Sequence, residues 1–325
     1  MNTSNAPFCA RRADRLGVHS LDHVQFSVPE PGQASQFFTA FGLAVSESPA
    51  GLEVRAHGDD HVWLRIGQSD SKRLDRVVFG AFAEDLNGIA ARLAGMNVAF
   101  VRSHTEAGAE RLCFADPNGM AIEVRVADKV MPDAKTLPVT RSCPAGERGA
   151  VMRGETPPVH PARMAHALFF TPDIETSVAF CQEALGLRIS DFPGPVAFMH
   201  GAHGSDHHLI AFAQSEAGIG YHHSAWDVSS LDEVGLGAGQ MAAAGFDKGW
   251  GLGRHVLGSN YFFYVRDPWG SYAEYSFDID FIPASMDWPA GYPAPENSLY
   301  LWGPAVPEDF VTNFERHDQA LGDAA

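Results

Sequence analysis

An α+β fold of four βαβββ-like units, arranged as two similar halves, is predicted by three features of the sequence. Strand-like alternation is followed by a helical pattern and then by short strands, four times along the chain. Landmarks of the first half recur in the second, and a repeat of this kind has to be identified before any single motif is interpreted. A proline-rich stretch, with prolines at 132, 138, 144, 157, 158 and 161, separates the halves. A length of 325 residues suits two domains, each able to bury its own core.

Residues 18–28 alternate as a strand and are stopped by Pro29-Glu30-Pro31-Gly32. Residues 33–41 place Ala34, Phe37, Phe38 and Phe41 at amphipathic helix spacing, and Gly42 suits a left-handed C-terminal position. Short strands are expected near 52–55 and 62–66. The second unit has a strand at 76–82, a helix at 85–93 and a hairpin turning at Asp116-Pro117-Asn118-Gly119, whose Pro and Gly meet the dihedral needs of a tight turn. The third unit begins with an apolar strand at 164–171, a helix at 174–185 ended by Gly186, and strands near 196–199 and 207–213. In the fourth, a strand at 221–228 precedes a helix at 231–244 and a hairpin of 261–266 with 271–277. Beyond residue 281 the chain is rich in Pro, Trp and Tyr and has no counterpart in the first half. It reads as an arm packed on the second domain or as a cover over a pocket mouth.

Composition narrows the function. Lys+Arg 23 against Asp+Glu 40 gives a charge of −17, which disfavours nucleic acid and anionic membranes because phosphates need cationic patches. Cys9, Cys113, Cys143 and Cys181 are scattered, as expected of free thiols in a reducing cytoplasm. The first fifteen residues lack the apolar core of a signal peptide, and no apolar run approaches membrane-span length, so a cytoplasmic location without membrane contact is expected.

The chemistry concentrates in residues 221–277, read together with His166. If Pro268-Trp269-Gly270 forms a three-residue turn, Asp267 pairs with Ser271 and Tyr264 falls directly opposite Glu274 on one face. Asn260 and Phe262 share that face by alternation. His166 and His223 hold equivalent early-strand positions in the third and fourth units, so a curved sheet would bring both toward Glu274. Two imidazoles and one carboxylate hold a divalent metal with vacant sites beside it, an arrangement suited to Fe(II), and the same donors accept Mn(II). Within His222-His223, strict alternation allows one ligand, and His223 is the better placed. The first half keeps His23, His61 and Glu123 but carries Arg76 in the slot of His223 and Cys113 in the slot of Tyr264, so no metal is expected there. His207 alternates away from His208 and reads as structural. His200 and His203 lie in a glycine-rich turn that reads as surface loop.

Ala165-His166-Ala167, the run from Asp206 to Phe212, His222-His223-Ser224, Gly253-Arg254-His255 and the stretch from Tyr264 to Glu274 together resemble a known family. It is the type I extradiol ring-cleaving dioxygenases of the vicinal oxygen chelate superfamily, catechol 2,3-dioxygenase-like enzymes, and the likeness spans roughly residues 18–280. The resemblance implies two vicinal-oxygen-chelate domains of two modules each, at 1–127 without metal and at 163–280 with the catalytic site. Residues 128–162 form the linker and 281–325 the arm. It implies iron ligands His166, His223 and Glu274, an acid/base histidine at His208, a substrate-binding tyrosine at Tyr264 and His255 steadying their network, with Asn260 joining His208 and Tyr264 in the substrate site. The implied reaction is cleavage of a catechol-type aromatic diol by O2 at mononuclear Fe(II), giving a muconic semialdehyde-type product in aromatic degradation, by a homo-oligomer, expected as a tetramer. Two other classes share the scaffold: metal-dependent isomerases or lyases of glyoxalase type, and metal-free small-molecule-binding modules.

Overall fold

The computed structural model describes residues 11–137 and 143–315. Expectations for residues 1–10, Cys9 among them, for 138–142 of the linker and for 316–325 of the arm lie outside those residues.

The first half runs β1 (Ser20–Val28), α1 (Pro31–Ala40), β2 (Ala44–Ser48), β3 (Gly51–Arg55), β4 (Leu64–Gln68), β5 (Arg73–Ala81), α2 (Ala83–Gly95), β6 (Phe100–His104), β7 (Glu110–Ala115) and β8 (Ala121–Val126). The second runs β9 (Arg163–Thr171), α3 (Ile174–Leu185), β10 (Arg188–Asp191), β11 (Val196–His200), β12 (Ser205–Asp206), β13 (Ile210–Gln214), β14 (Gly220–Asp227), α4 (Leu231–Ala243), β15 (Gly249–His255), β16 (Tyr261–Arg266) and β17 (Tyr272–Phe277). Two short strands follow in the arm, β18 (Phe281–Ile282) and β19 (Tyr300–Trp302).

Each half folds around one large mixed sheet, and β12 pairs with β18 in a separate two-stranded ribbon. The orders are β2-β3-β4-β1-β5-β8-β7-β6 and β10-β11-β13-β9-β14-β17-β16-β15-β19. Up to the arm strand the second order repeats the first: an antiparallel central pair, β1/β5 or β9/β14, flanked by parallel partners β4 and β8, or β13 and β17. The arm is thus partly structural, because β19 extends the edge of β15.

Local rules account for the helices. α1 buries Ala34, Phe37 and Phe38 on one face, and Gly42 follows it at a φ of 97°, where a side chain would also strike the Val159 carbonyl. The Asp173 side chain caps α3 by accepting from the Thr176 N–H, and the helix ends on Gly186 in the left-handed region. In the last hairpin the Asp267 N–H donates to the Ser271 carbonyl at 2.7 Å, Gly270 takes a φ of 91°, and Tyr264 pairs with Glu274.

One hydrophobic cluster runs through both halves. Phe26 of β1 stacks on Tyr221 of β14 at 5.0 Å between ring centroids, and Phe41 stacks on Tyr275 of β17 at 3.9 Å. The Tyr275 hydroxyl donates to the Phe41 carbonyl, so even this phenol is satisfied while buried.

Two expectations need correction. The strand expected over 207–213 starts only at Ile210, because residues 207–209 bend between β12 and β13. His200 and His203, expected in a surface loop, are both buried. His203 receives the Arg12 N–H and its Nε2 lies 3.2 Å from Asp85, which makes it part of the contact with the first half. Among the described residues no helix is long and apolar enough to cross a membrane, and Cys113, Cys143 and Cys181 are free thiols.

Candidate active site

Three neighbouring strands bring the expected ligands together. In the β9-β14-β17 order, His166 pairs with Ala225 and Ala225 pairs with Glu274, so the histidine and the carboxylate lie in one row across the sheet. His223 precedes Ala225 by two residues and therefore shares its face. The Nε2 atoms of His166 and His223 lie 3.4 and 3.6 Å from Glu274 Oε2. Bonds of about 2.1 Å at right angles place ligand atoms about 3.0 Å apart, so little contraction is needed to seat a divalent ion. All three side chains are buried, and His223 Nε2 and Glu274 Oε2 have no hydrogen-bond partner among the described residues. Buried polar atoms without partners are costly unless something binds them. The donor set fits a metal.

Surrounding groups orient these donors. Asn260 Nδ2–H donates to Glu274 Oε1 at 2.9 Å and to Ser276 Oγ at 3.0 Å, which leaves Oε2 free. His222 Nε2–H donates to the Phe310 carbonyl at 2.7 Å, so its Nδ1 accepts from His223 Nδ1–H at 2.6 Å. That tautomer leaves the His223 Nε2 lone pair pointing at the cluster. Alternation alone would have sent the His222 and His223 rings to opposite faces. A register shift between Tyr221 and His223 lets them touch instead.

The remaining site residues line a cavity of about 270 Å³ beside the cluster. His208 packs 4.0 Å from the His166 ring and 4.9 Å from Phe198. The Tyr264 hydroxyl lies 2.9 Å from His255 Nε2, and His255 Nδ1–H donates to the Leu299 carbonyl at 2.7 Å. With Nδ1 protonated, Nε2 accepts from the tyrosine. Burial, with lesser help from neighbouring imidazoles, holds His208 and His223 well below the usual imidazole range. Burial also lowers His255, against the pull of Glu274, and burial followed by Glu274 raises the Tyr264 phenol well above its usual range. The cavity therefore presents neutral imidazoles and a protonated phenol around the buried side chain of Glu274.

Among the described residues, the first half lacks this arrangement. Its Glu123 oxygens are taken by Arg76 at 3.0 Å, Arg111 at 3.2 Å and Arg125 at 2.6 Å, while His23 Nδ1 is held by Asp22.

Comparison with known proteins agrees with the geometry. Residues 163–275 match the Glyoxalase/Bleomycin resistance protein/Dioxygenase superfamily. Metapyrocatechase 2 of Cupriavidus necator is 48% identical over 302 residues, which cover 93% of this chain and 94% of that protein. The chain belongs to the extradiol ring-cleaving dioxygenases of the vicinal oxygen chelate superfamily. Among solved structures, a variant of homoprotocatechuate 2,3-dioxygenase from Brevibacterium fuscum superposes with a TM-score of 0.72 at 18% identity, covering 94% of this chain and 84% of that one. The Mn(II)-bound glyoxalase from Novosphingobium aromaticivorans gives 0.70 at 23% identity, covering 92% and 98%. At those identities the likeness speaks for the fold.

The dioxygenase performs extradiol, or meta, cleavage of catechols, and membership of its family implies a catalytic metal. The sequence left open whether the arm packs or covers a pocket, and it did not place Asp191 or join His207 to the site. Pro295, Ser298, Leu299, Phe310 and Val311 of the arm line the cavity, so the arm is both an edge strand and a wall. Asp191 and His207 stand directly behind His208. The sequence did carry one signal for such support: the His-His pair occurs twice, at 207–208 and at 222–223.

Proposed function

We propose that His166, His223 and Glu274 hold Fe(II), and that the enzyme uses O2 to cleave an uncharged catechol bearing an apolar ring substituent. The observation that carries this reading is the convergence of three buried donors, each with an atom unpartnered among the described residues, on one wall of an apolar cavity. Iron bound there supplies the one-electron chemistry that lets a diol react with O2. The residues of the chain do the rest.

The diol would enter with its hydroxyls toward the cluster and its ring against Leu168, Val196, Phe198 and Leu299. His208 takes a proton from a substrate hydroxyl at its cavity-facing nitrogen and later returns it to the cleaving intermediate. Tyr264, held by His255, offers its oxygen to the bound diol, and Asn260 presents a buried Oδ1 that has no other partner among the described residues. The arm keeps water out, which strengthens each of these contacts. No lysine or arginine lines the cavity among the described residues, so a ring carrying a carboxylate would meet no countercharge.

The decisive experiment is O2 uptake by protein loaded anaerobically with Fe(II) or with Mn(II), given alkyl-, phenyl- and carboxymethyl-substituted catechols. Uptake with a yellow product is expected for the uncharged diols, with at least a tenfold lower kcat/KM for the carboxylate, the size of one unmade ion contact. Preference for the anionic ring would overturn the substrate assignment. Activity with manganese alone would overturn iron.

A further inference from the structure

Behind His208 stands a pair of side chains that the chemistry above does not use. His207 Nε2 lies 2.7 Å from Asp191 Oδ2, and His207 Nδ1 lies 3.1 Å from His208 Nδ1. Two consecutive strand residues would point apart. These converge because residues 207–209 leave the strand conformation, with the His207 N–H donating to the Asp280 carbonyl and the Ser190 hydroxyl to the His207 carbonyl.

The arm seals the pair. The Trp288 ring stands edge-on to His207 at 5.8 Å and its indole N–H donates to the Ser190 carbonyl. Gly291 lies against Asp191 so closely that a Cβ there would come 2.1 Å from Oδ1, and its backbone bonds both neighbours of Asp191, Ser190 and Phe192. Only a residue without a side chain lets the backbone approach the carboxylate so nearly.

We propose that Asp191 and His207 are positioning residues that hold His208 in the tautomer protonated at Nδ1, so that Nε2 presents a lone pair to the bound diol. The carboxylate accepts only, so His207 carries its hydrogen on Nε2 and, while neutral, offers the Nδ1 lone pair. His208 must then donate from Nδ1. A proton arriving from the diol at Nε2 leaves Nδ1–H in place, and the resulting imidazolium still donates through His207 toward Asp191. Nothing else moves, and the charge formed on His208 is directed at a carboxylate already buried behind it. The same device serves His223, whose ring is set by His222 through the Phe310 carbonyl, so in both His-His pairs the first histidine aims the second.

The inference rests on His208 being the proton-accepting residue of the proposed function, and its test is readable without turnover. Histidine 15N spectra of the full chain loaded with Zn(II), a diamagnetic ion, report each tautomer, with His208 assigned by its loss in His208→Phe. The expected spectrum shows Nδ1 protonated and Nε2 bare. Neutral His208 carrying its hydrogen on Nε2 would overturn the proposal, and so would a His207 protonated on both nitrogens. In the iron-loaded enzyme, Asp191→Asn should lower kcat on the order of 10- to 100-fold with KM and metal content unchanged, the scale of a misaligned general base. A kcat within about twofold of the wild type would also overturn it. Should that variant not fold, the wild-type spectrum decides alone. A chain that cleaved no diol would still give the spectrum, which separates failure of this inference from failure of the functional reading.

Discussion

At Glu274 the two carboxylate oxygens have different partners, Oε1 bound by Asn260 and Oε2 directed at both histidines, and this division makes separable predictions. Asn260→Ala frees Oε1 to rotate, so divalent metal affinity should fall about 10- to 100-fold, the usual cost of losing a group that orients a ligand; metal titration by calorimetry measures it. His223→Ala removes a ligand and should leave no stoichiometric metal after dialysis. His208→Phe should keep its metal while losing turnover by about 10²- to 10⁴-fold. Equal metal loss in all three would mean that these residues act as one packed unit without distinct roles. Away from the site, burial holds His19 near 4 and His200 near 3. Both are neutral when folded and take up a proton more readily when unfolded, where the ordinary value is near 6.5. Their stabilisation is therefore complete above about pH 6.5 and lost as the pH falls to about 4 for His19 and about 3 for His200, at about 1.4 kcal/mol for each unit of separation. The thermal midpoint of the metal-free chain should fall across that window, less steeply in His200→Asn.

At the scale of elements, the repeat was legible because each module announces itself by a helix stop, a turn and a pairing register. Phe41-Gly42-Leu43 answers Leu185-Gly186-Leu187, and counting outward from Pro268-Trp269-Gly270 places Tyr264 opposite Glu274, as the pairing confirms. What stayed hidden breaks period two. β2 is a half-exposed edge strand with no apolar alternation, and the convergence of His207 with His208, and of His222 with His223, depends on a bend and a register shift that no pattern encodes. The arm's two readings, packing and cover, could not be told apart for another reason, since its residues gain meaning only against a wall made elsewhere. Phe310 packs on His222, Trp250, Tyr264 and Tyr272, and its carbonyl receives His222 Nε2–H. Phe310→Ala should destabilise the protein by about 3–5 kcal/mol, the cost of emptying a buried aromatic site. It should also lower kcat/KM through the opened cavity, and denaturant melts with parallel kinetics would show whether both losses occur. Unchanged kinetics in the destabilised variant would reduce the arm to packing.

For the molecule as a whole, the question is what holds two similar halves in one arrangement, and the last described residue supplies part of the answer. Glu315 is buried where the halves meet and accepts the Leu74 N–H from the first and the Tyr221 N–H from the second, each at 2.7 Å. Lys72, also buried, lies 3.3 Å from the same carboxylate and donates to the Tyr221 carbonyl. One side chain thus satisfies backbone groups of β5 and β14, the central strands of the two sheets, and neutralises the cation between them. Removing one partner of a buried ion pair leaves an uncompensated charge, which costs about 3–5 kcal/mol. Glu315→Ala should lose stability on that scale, because Lys72 and two buried N–H groups lose their partner together. Glu315→Gln keeps an acceptor for the amides and should lose less, while adding Lys72→Met to Glu315→Ala should recover part of the loss by removing the stranded charge. Urea unfolding of the four proteins, wild type included, separates these contributions. If Glu315→Ala and Glu315→Gln were equally mild, the halves would be held by the Phe26–Tyr221 and Phe41–Tyr275 stacks and the core around them, with the ion pair a passenger.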